Sequence, residues 1–220
     1  MRLTALLLFT VALRLAAQDS STALVDRAVR QYRAARTVRA SFEQALTSPA
    51  TGTVHTSRGE YYQGGGSRFA FRFANPSGDA IVNDGVALWL YLPSSAKGQV
   101  IKLPSRAGAG FDVLANLLSA PKAGYVATRM RDESVGSHST TVFELAPKTT
   151  DMPFTHATLW LGKSDALVWQ LETVEPSGLL RRVRFTAVRI GVDLPEGVLV
   201  FPVPAGVKVV DQAALFGQKP

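Results

Sequence analysis

The sequence predicts a mainly β protein: an antiparallel sheet of about ten or eleven strands that curls into a barrel or half-barrel, with two helical segments capping it or plugging its concave face. Three observations predict it. Alternation over Ser67–Phe73 puts Phe69, Phe71 and Phe73 on one face of a strand and Arg68, Ala70 and Arg72 on the other, a mixture suited to water or a headgroup region. The second half of the chain is a series of apolar runs punctuated by Gly162-Lys163-Ser164-Asp165 and Pro176-Ser177-Gly178, the spacing of antiparallel hairpins. Helical spacing occurs in two segments, too few to wrap such a sheet.

The chain opens with Met1-Arg2 and an apolar run from Leu3 to Leu13, shorter than a bilayer-spanning helix and placed like the h-region of a signal peptide. The expected division is a signal peptide over 1–17, cut near Ala17, and a single domain over 18–220. With no cysteine among 220 residues, the exported chain has no disulfide and no thiol for a lipoprotein's acyl anchor, so a soluble periplasmic monomer is expected. The net charge of +7 falls to +5 when Arg2 and Arg14 leave. That balance favours anionic partners or a negatively charged membrane surface, and export argues against nucleic acid.

Ser20-Ser21-Thr22 offers N-caps to a helix whose Val25, Ala28, Val29 and Tyr32 share one side, with Arg27, Arg30, Arg33 and Arg36 on a solvated or headgroup-docking side. A strand over Thr37–Leu46 alternates Val38, Ala40 and Phe42 with Arg39, Ser41 and Glu43, and a second ends at Gly59-Glu60-Tyr61-Tyr62. Gly64-Gly65-Gly66 is a hairpin turn, since a phosphate cradle would need a helix after it and a strand follows. Ala80–Val82 and Val86–Leu92 flank Asn83-Asp84-Gly85, a strong hairpin signal. The return strand is apolar on both faces, so cover is expected on two sides. A strand at Gln99–Leu103 and a loop over Pro104–Gly110 precede a short helix, Phe111–Ala120, whose Val113, Leu114, Leu117 and Leu118 form an apolar stripe. Strands then follow over Gly124–Met130, Thr140–Ala146, Thr155–Leu161, Ala166–Val174 and Leu179–Ile190, with Asp132-Glu133 read as a turn.

No constellation for covalent chemistry is present in this pattern. His55, His138 and His156 are far apart, no HExxH or GxSxG occurs, and Asp79 and Asp84 sit where hairpins favour aspartate. No enzyme, metal or cofactor is expected. An exported curved sheet lined by phenylalanine and leucine reads as a binder of something apolar.

Four motifs in order resemble the periplasmic outer-membrane lipoprotein carrier family, LolA, across nearly all of the mature chain. Ala40-Ser41-Phe42-Glu43-Gln44 is similar to its Ser-Phe-x-Gln strand; Gly59-Glu60, Phe69-Ala70-Phe71 and Pro76 follow its glycine, aromatic strand and proline. Asp79–Gly85 with Leu88-Trp89-Leu90-Tyr91 and Pro93 resembles its most recognisable segment, and Phe201–Val207 with Val209, Val210 and Asp211 its C-terminal ending.

The resemblance implies an unclosed, strongly curved antiparallel β-barrel with helices covering its concave face. It implies a periplasmic carrier that takes triacylated lipoproteins from an inner-membrane ABC-type releasing complex to an outer-membrane lipoprotein acceptor. The acyl-chain site would comprise Phe42, Phe69, Phe71, Phe73, Ile81, Leu88 and Leu90, under a lid carrying Val25, Val29, Leu114, Leu117 and Leu118. The family's Arg-Pro before the aromatic strand, whose arginine latches the lid, is replaced by Gly65 and Gly66, which leaves Arg68 as the candidate latch. The alternative is a periplasmic lipid- or lipoprotein-sensing regulatory module on the same fold. An outer-membrane acceptor is a third reading, opposed by the missing anchor cysteine.

Overall fold

The computed structural model describes residues 22–112, 114–115, 124–149 and 152–212. They form one twelve-stranded sheet preceded by a helix, α1, over 22–35. In chain order the strands are β1 (Val38–Thr47), β2 (Val54–Gln63), β3 (Phe69–Asn75), β4 (Ala80–Asn83), β5 (Ala87–Tyr91) and β6 (Gln99–Pro104). There follow β7 (Tyr125–Val135), β8 (His138–Pro147), β9 (His156–Gly162), β10 (Val168–Val174), β11 (Leu180–Ile190) and β12 (Lys208–Asp211). They lie side by side as β12-β6-β5-β4-β3-β2-β1-β11-β10-β9-β8-β7, so among the described residues β12 and β7 are the edges and the sheet does not close. Register shifts in β1–β11, β2–β3, β9–β10 and β7–β8 mark bulges, the local device that bends a sheet.

The strand count exceeds the expected ten or eleven because of β12, which pairs parallel to β6 in an otherwise antiparallel sheet. Its partner lies about a hundred residues upstream and its four residues alternate Lys-Val-Val-Asp, too short a run to signal a strand by pattern alone. Asp132 and Glu133 are not a turn. They belong to edge strand β7, where charged side chains pair with Arg129, Arg131 and Lys163 on the exposed border, and the turn falls at Gly136-Ser137. The loop expected before the second helix is a 3-10 helix, Ser105–Gly110.

Two apolar layers lie on opposite faces of the strands. On the inner face, Val25, Ala28, Val29 and Tyr32 of α1 join Phe42, Tyr61, Phe69, Phe71, Leu159, Val183 and Phe185 in one core. Tyr32 Oη accepts the Val168 amide at 3.0 Å, and Arg27 Nη2 donates to the Ser164 carbonyl at 2.5 Å, which fixes α1 over the sheet while its other arginines face outward. On the outer face, Tyr62, Ala70, Ala80, Val82 and Val100 pack under an extended strap, residues 191–207, whose Phe201 meets Trp89 and Tyr91 at 5.7 and 5.5 Å. This corrects the expectation that the Arg68-Ala70-Arg72 side faces water. Ala70 is fully buried, and Arg72 Nη2 donates to the Val198 and Val200 carbonyls at 2.9 and 2.8 Å. The two-sided cover demanded by β5 is therefore supplied on this face by strap rather than helix.

Candidate functional site

Cross-strand pairing turns the alternation of single strands into rows across the inner face. One row reads Phe185–Phe42–Gly59–Phe73, a second Ala40–Tyr61–Phe71–Ile81–Leu90–Ile101, a third Gln63–Phe69–Asn83–Leu88–Leu103. In the first row Gly59 contributes no side chain. A Cβ there would stand 2.1 Å from the Arg72 carbonyl oxygen, so only glycine lets β2 and β3 approach. The gap is filled from both sides, with the Phe42 and Phe73 rings meeting edge-on at 5.4 Å. Phe71 touches Phe42 at 5.3 Å, Tyr61 at 4.8 Å and Phe69 at 6.0 Å, giving a continuous aromatic wall in edge and tilted contacts that aromatic rings favour.

All seven residues expected to bind acyl chains lie in this one cluster: Phe42, Phe69, Phe71, Ile81 and Leu88 buried, Phe73 and Leu90 partly buried against them. Val25, Val29 and Leu114 of the expected lid pack into the same cluster. Leu117 and Leu118 lie outside the described residues, as does most of the stretch expected to form the second helix; residues 114–115 are helical. Arg68 is exposed and its Nε donates to the Gly65 carbonyl at 3.2 Å, inside its own turn. Trp89 and Tyr91, which the sequence left unplaced, face the outer strap.

The third row carries polar groups, Gln63 and Asn83, and meets others that the sequence reading gave no role at the site. Asn83 is buried and donates from Nδ2 to the Ser105 carbonyl at 2.7 Å while its Oδ1 accepts from Ser105 Oγ at 2.8 Å, so the 3-10 helix is tied to β4. Gly108 comes down on that junction; a Cβ would lie 2.3 Å from Asn83 Nδ2 and 3.0 Å from the Phe69 ring. Its carbonyl accepts the amides of Phe111 and Asp112, both at 2.9 Å. Asp112 is 6% exposed, its Oδ1 accepting from Tyr61 Oη at 2.9 Å and from the Ala115 amide at 3.0 Å. Burial pushes the Asp112 carboxyl up to about 6 against those two bonds, and burial beside Asp112 holds the Tyr61 hydroxyl well above its ordinary range. The signal for Asp112 was present as an N-cap aspartate directly ahead of the apolar stripe. A cavity of about 310 Å3 opens here, with Phe69, Gln63, Arg106 and Asp112 among its walls. A groove of about 430 Å3 elsewhere is walled by Glu43, Arg58, Arg182 and Arg184, charged groups that offer nothing to an acyl chain.

Residues 33–201 match the model of the outer membrane lipoprotein carrier protein family, LolA. The chain belongs to this family. LolA-family proteins are periplasmic carrier or binding proteins rather than enzymes. Among solved structures, an uncharacterized conserved protein from Thermus thermophilus is 13% identical over 88% of this chain and 99% of its own, with a TM-score of 0.56. A LolA superfamily protein from Nitrosomonas europaea is 16% identical over 82% and 97%, with a TM-score of 0.42. The lipoprotein LppX from Mycobacterium tuberculosis is 9% identical over 80% and 98%, with a TM-score of 0.48. The first likeness shows the fold. No curated protein matches the chain in sequence. No described helix is long and apolar enough to cross a membrane.

Proposed function

We propose that this LolA-family protein is a periplasmic carrier that binds the acyl chains of triacylated lipoproteins on the inner aromatic wall. In this reading it moves them from an inner-membrane ABC-type complex to an outer-membrane acceptor. The observation that carries the reading is the wall itself: Phe42, Phe69, Phe71 and Phe73 on the inner face of an unclosed sheet, joined through Tyr61 and Phe71 into one aromatic surface. Each buried methylene contributes roughly 0.8 kcal/mol, so sequestering one long chain approaches ~10 kcal/mol. The wall is already covered in this structure, with Phe69 and Leu88 at 1% and 0% exposure. Loading therefore exchanges contacts with the cover for contacts with the acyl chain, and the net gain is small enough for delivery to be reversible.

The reading is tested by purifying the protein from its native periplasm and identifying bound material by mass spectrometry. A triacylated polypeptide is expected. A free lipid or small amphiphile in its place would overturn the carrier role and leave lipid sensing on the same wall.

A further inference from the structure

Among the described residues, hydrogen bonds of opposite character tie the cover over the polar end of the wall to strands β4 and β2. Asn83 and Ser105 exchange neutral hydrogen bonds with no group that titrates. Tyr61 and Asp112, 51 residues apart, join β2 to the stretch that carries Phe111 and Leu114 into the inner core, and the bond is made by a carboxyl with almost no contact with water. We propose that Tyr61 and Asp112 form a charge-sensitive catch, in which their hydrogen bond holds residues 105–112 and Leu114 over the phenylalanine wall and ionisation of the buried carboxyl favours opening, because the charge regains water once the cover lifts. The acyl ligand that would then enter rests on the carrier reading; the catch itself does not.

The sign follows from burial. In the closed form the Asp112 carboxyl holds its proton up to about pH 6, whereas once uncovered it returns toward the ordinary 3.8. Below the lower value both forms are protonated and pH has no leverage. Between the two, opening releases a proton and becomes easier as pH rises; above the upper value the full bias, about a hundredfold in the open-to-closed ratio, is in place. Among the described residues, the tyrosines and amides facing this point do not titrate in that window. Tyr61 on β2 and Tyr32 on α1 are buried with hydroxyls raised above 10, Asn83 and Gln63 are amides that do not titrate, and Arg106 of the 3-10 helix is the charged neighbour on the cover itself. At neutral pH the closed cover thus holds a buried anion with two donors, a state poised to open, and Tyr61 remains a donor throughout.

Hydrogen exchange on the full-length mature chain tests this, read as protection factors for the amides of Phe111, Asp112, Leu114 and Ala115 between pH 4 and 7. Protection in the unaltered protein is expected to fall by between ten- and a hundredfold as pH rises through 4 to 6. Asp112→Asn keeps an acceptor for Tyr61 Oη and the Ala115 amide, so it should stay protected and lose the pH dependence. Tyr61→Phe removes a donor from the carboxylate and should lower protection at pH 7. A flat profile in the unaltered protein overturns the catch without recourse to any variant, as does an Asp112→Asn profile that falls like the parent's. A synthetic diacylated lipopeptide separates the two readings. Failure of the lipopeptide to bind alongside a pH-dependent cover overturns the carrier and keeps the catch; tight binding with a flat profile does the reverse.

Discussion

The same strands are covered on both faces, and the two covers are fastened in different ways. On the outer face the strap over residues 191–207 lays Phe201 across Trp89 and Tyr91 and is pinned by Arg72, a permanent cation whose guanidinium donates to two strap carbonyls. On the inner face the stretch ahead of Leu114 is held by a neutral phenol on a buried carboxyl. Arginine cannot lose its charge at any pH a cell meets, so the outer fastening is fixed. An aspartate forced to bury its charge carries a penalty that exposure relieves, so the inner fastening is releasable. The carrier proposed above would use one of each: a scaffold face that stays shut, and a binding face that opens.

Truncating the inner wall should have the largest effect. Phe71 is 8% exposed and packs on Phe42, Tyr61, Phe69 and Phe73, so Phe71→Ala is expected to cost about 3–5 kcal/mol in urea unfolding and to abolish lipopeptide binding. The packing also means that a charged residue at 71 would act on the fold as well as on loading. Normal lipopeptide binding by folded Phe71→Ala would place the site elsewhere. Phe201→Ala removes the corresponding ring from the outer cover at a cost of about 3 kcal/mol, the low end of the range for a buried ring. Its lipopeptide affinity should match the parent's, and a loss would mean that the two faces are coupled. Arg72→Met comes third. It deletes charged hydrogen bonds worth about 1.5–3 kcal/mol, lessened because the Val200 contact is open to water. Thermal unfolding should shift without any change in the pH dependence of the inner cover.

How much of this was legible follows the same division. The inner wall was readable because alternation on β1, β3 and β5 is local, and all seven expected acyl-contact residues reach one cluster. The outer strap was not, since it has no period: Pro195, Pro202 and Pro204 hold it extended, and its apolar residues gain meaning only from Trp89 and Tyr91 beneath. Strand β7 was cut short because Arg129–Glu133 is charged almost throughout, which reads as a turn but is how an edge strand is kept from pairing with other chains. Asp112 could be read as a cap, yet its partner Tyr61 lies on a strand whose position beside it depends on the sheet's whole order.

The smallest effect should fall on Arg68, and it sharpens the contrast because Arg68 and Arg72 lie on the same side of adjoining backbone. Arg72 crosses to the strap; Arg68 bends back to the Gly65 carbonyl, with its stem against Gly85, where an added Cβ would sit 3.3 Å from the Arg68 Cγ. An exposed side chain bonded within its own turn contributes little, so Arg68→Leu should change stability by less than about 1 kcal/mol. The latch role for which Arg68 is the candidate has a separate signature: lipoprotein would be accepted but released poorly, because loss of a closed-state contact shifts the population toward the open, loaded form. Measured beside Asp112→Asn, which biases the cover the other way, the transfer rate of Arg68→Leu apportions closure between the two. Unchanged release with Arg68→Leu would leave the closed state to the Tyr61–Asp112 bond and to packing on the phenylalanine wall.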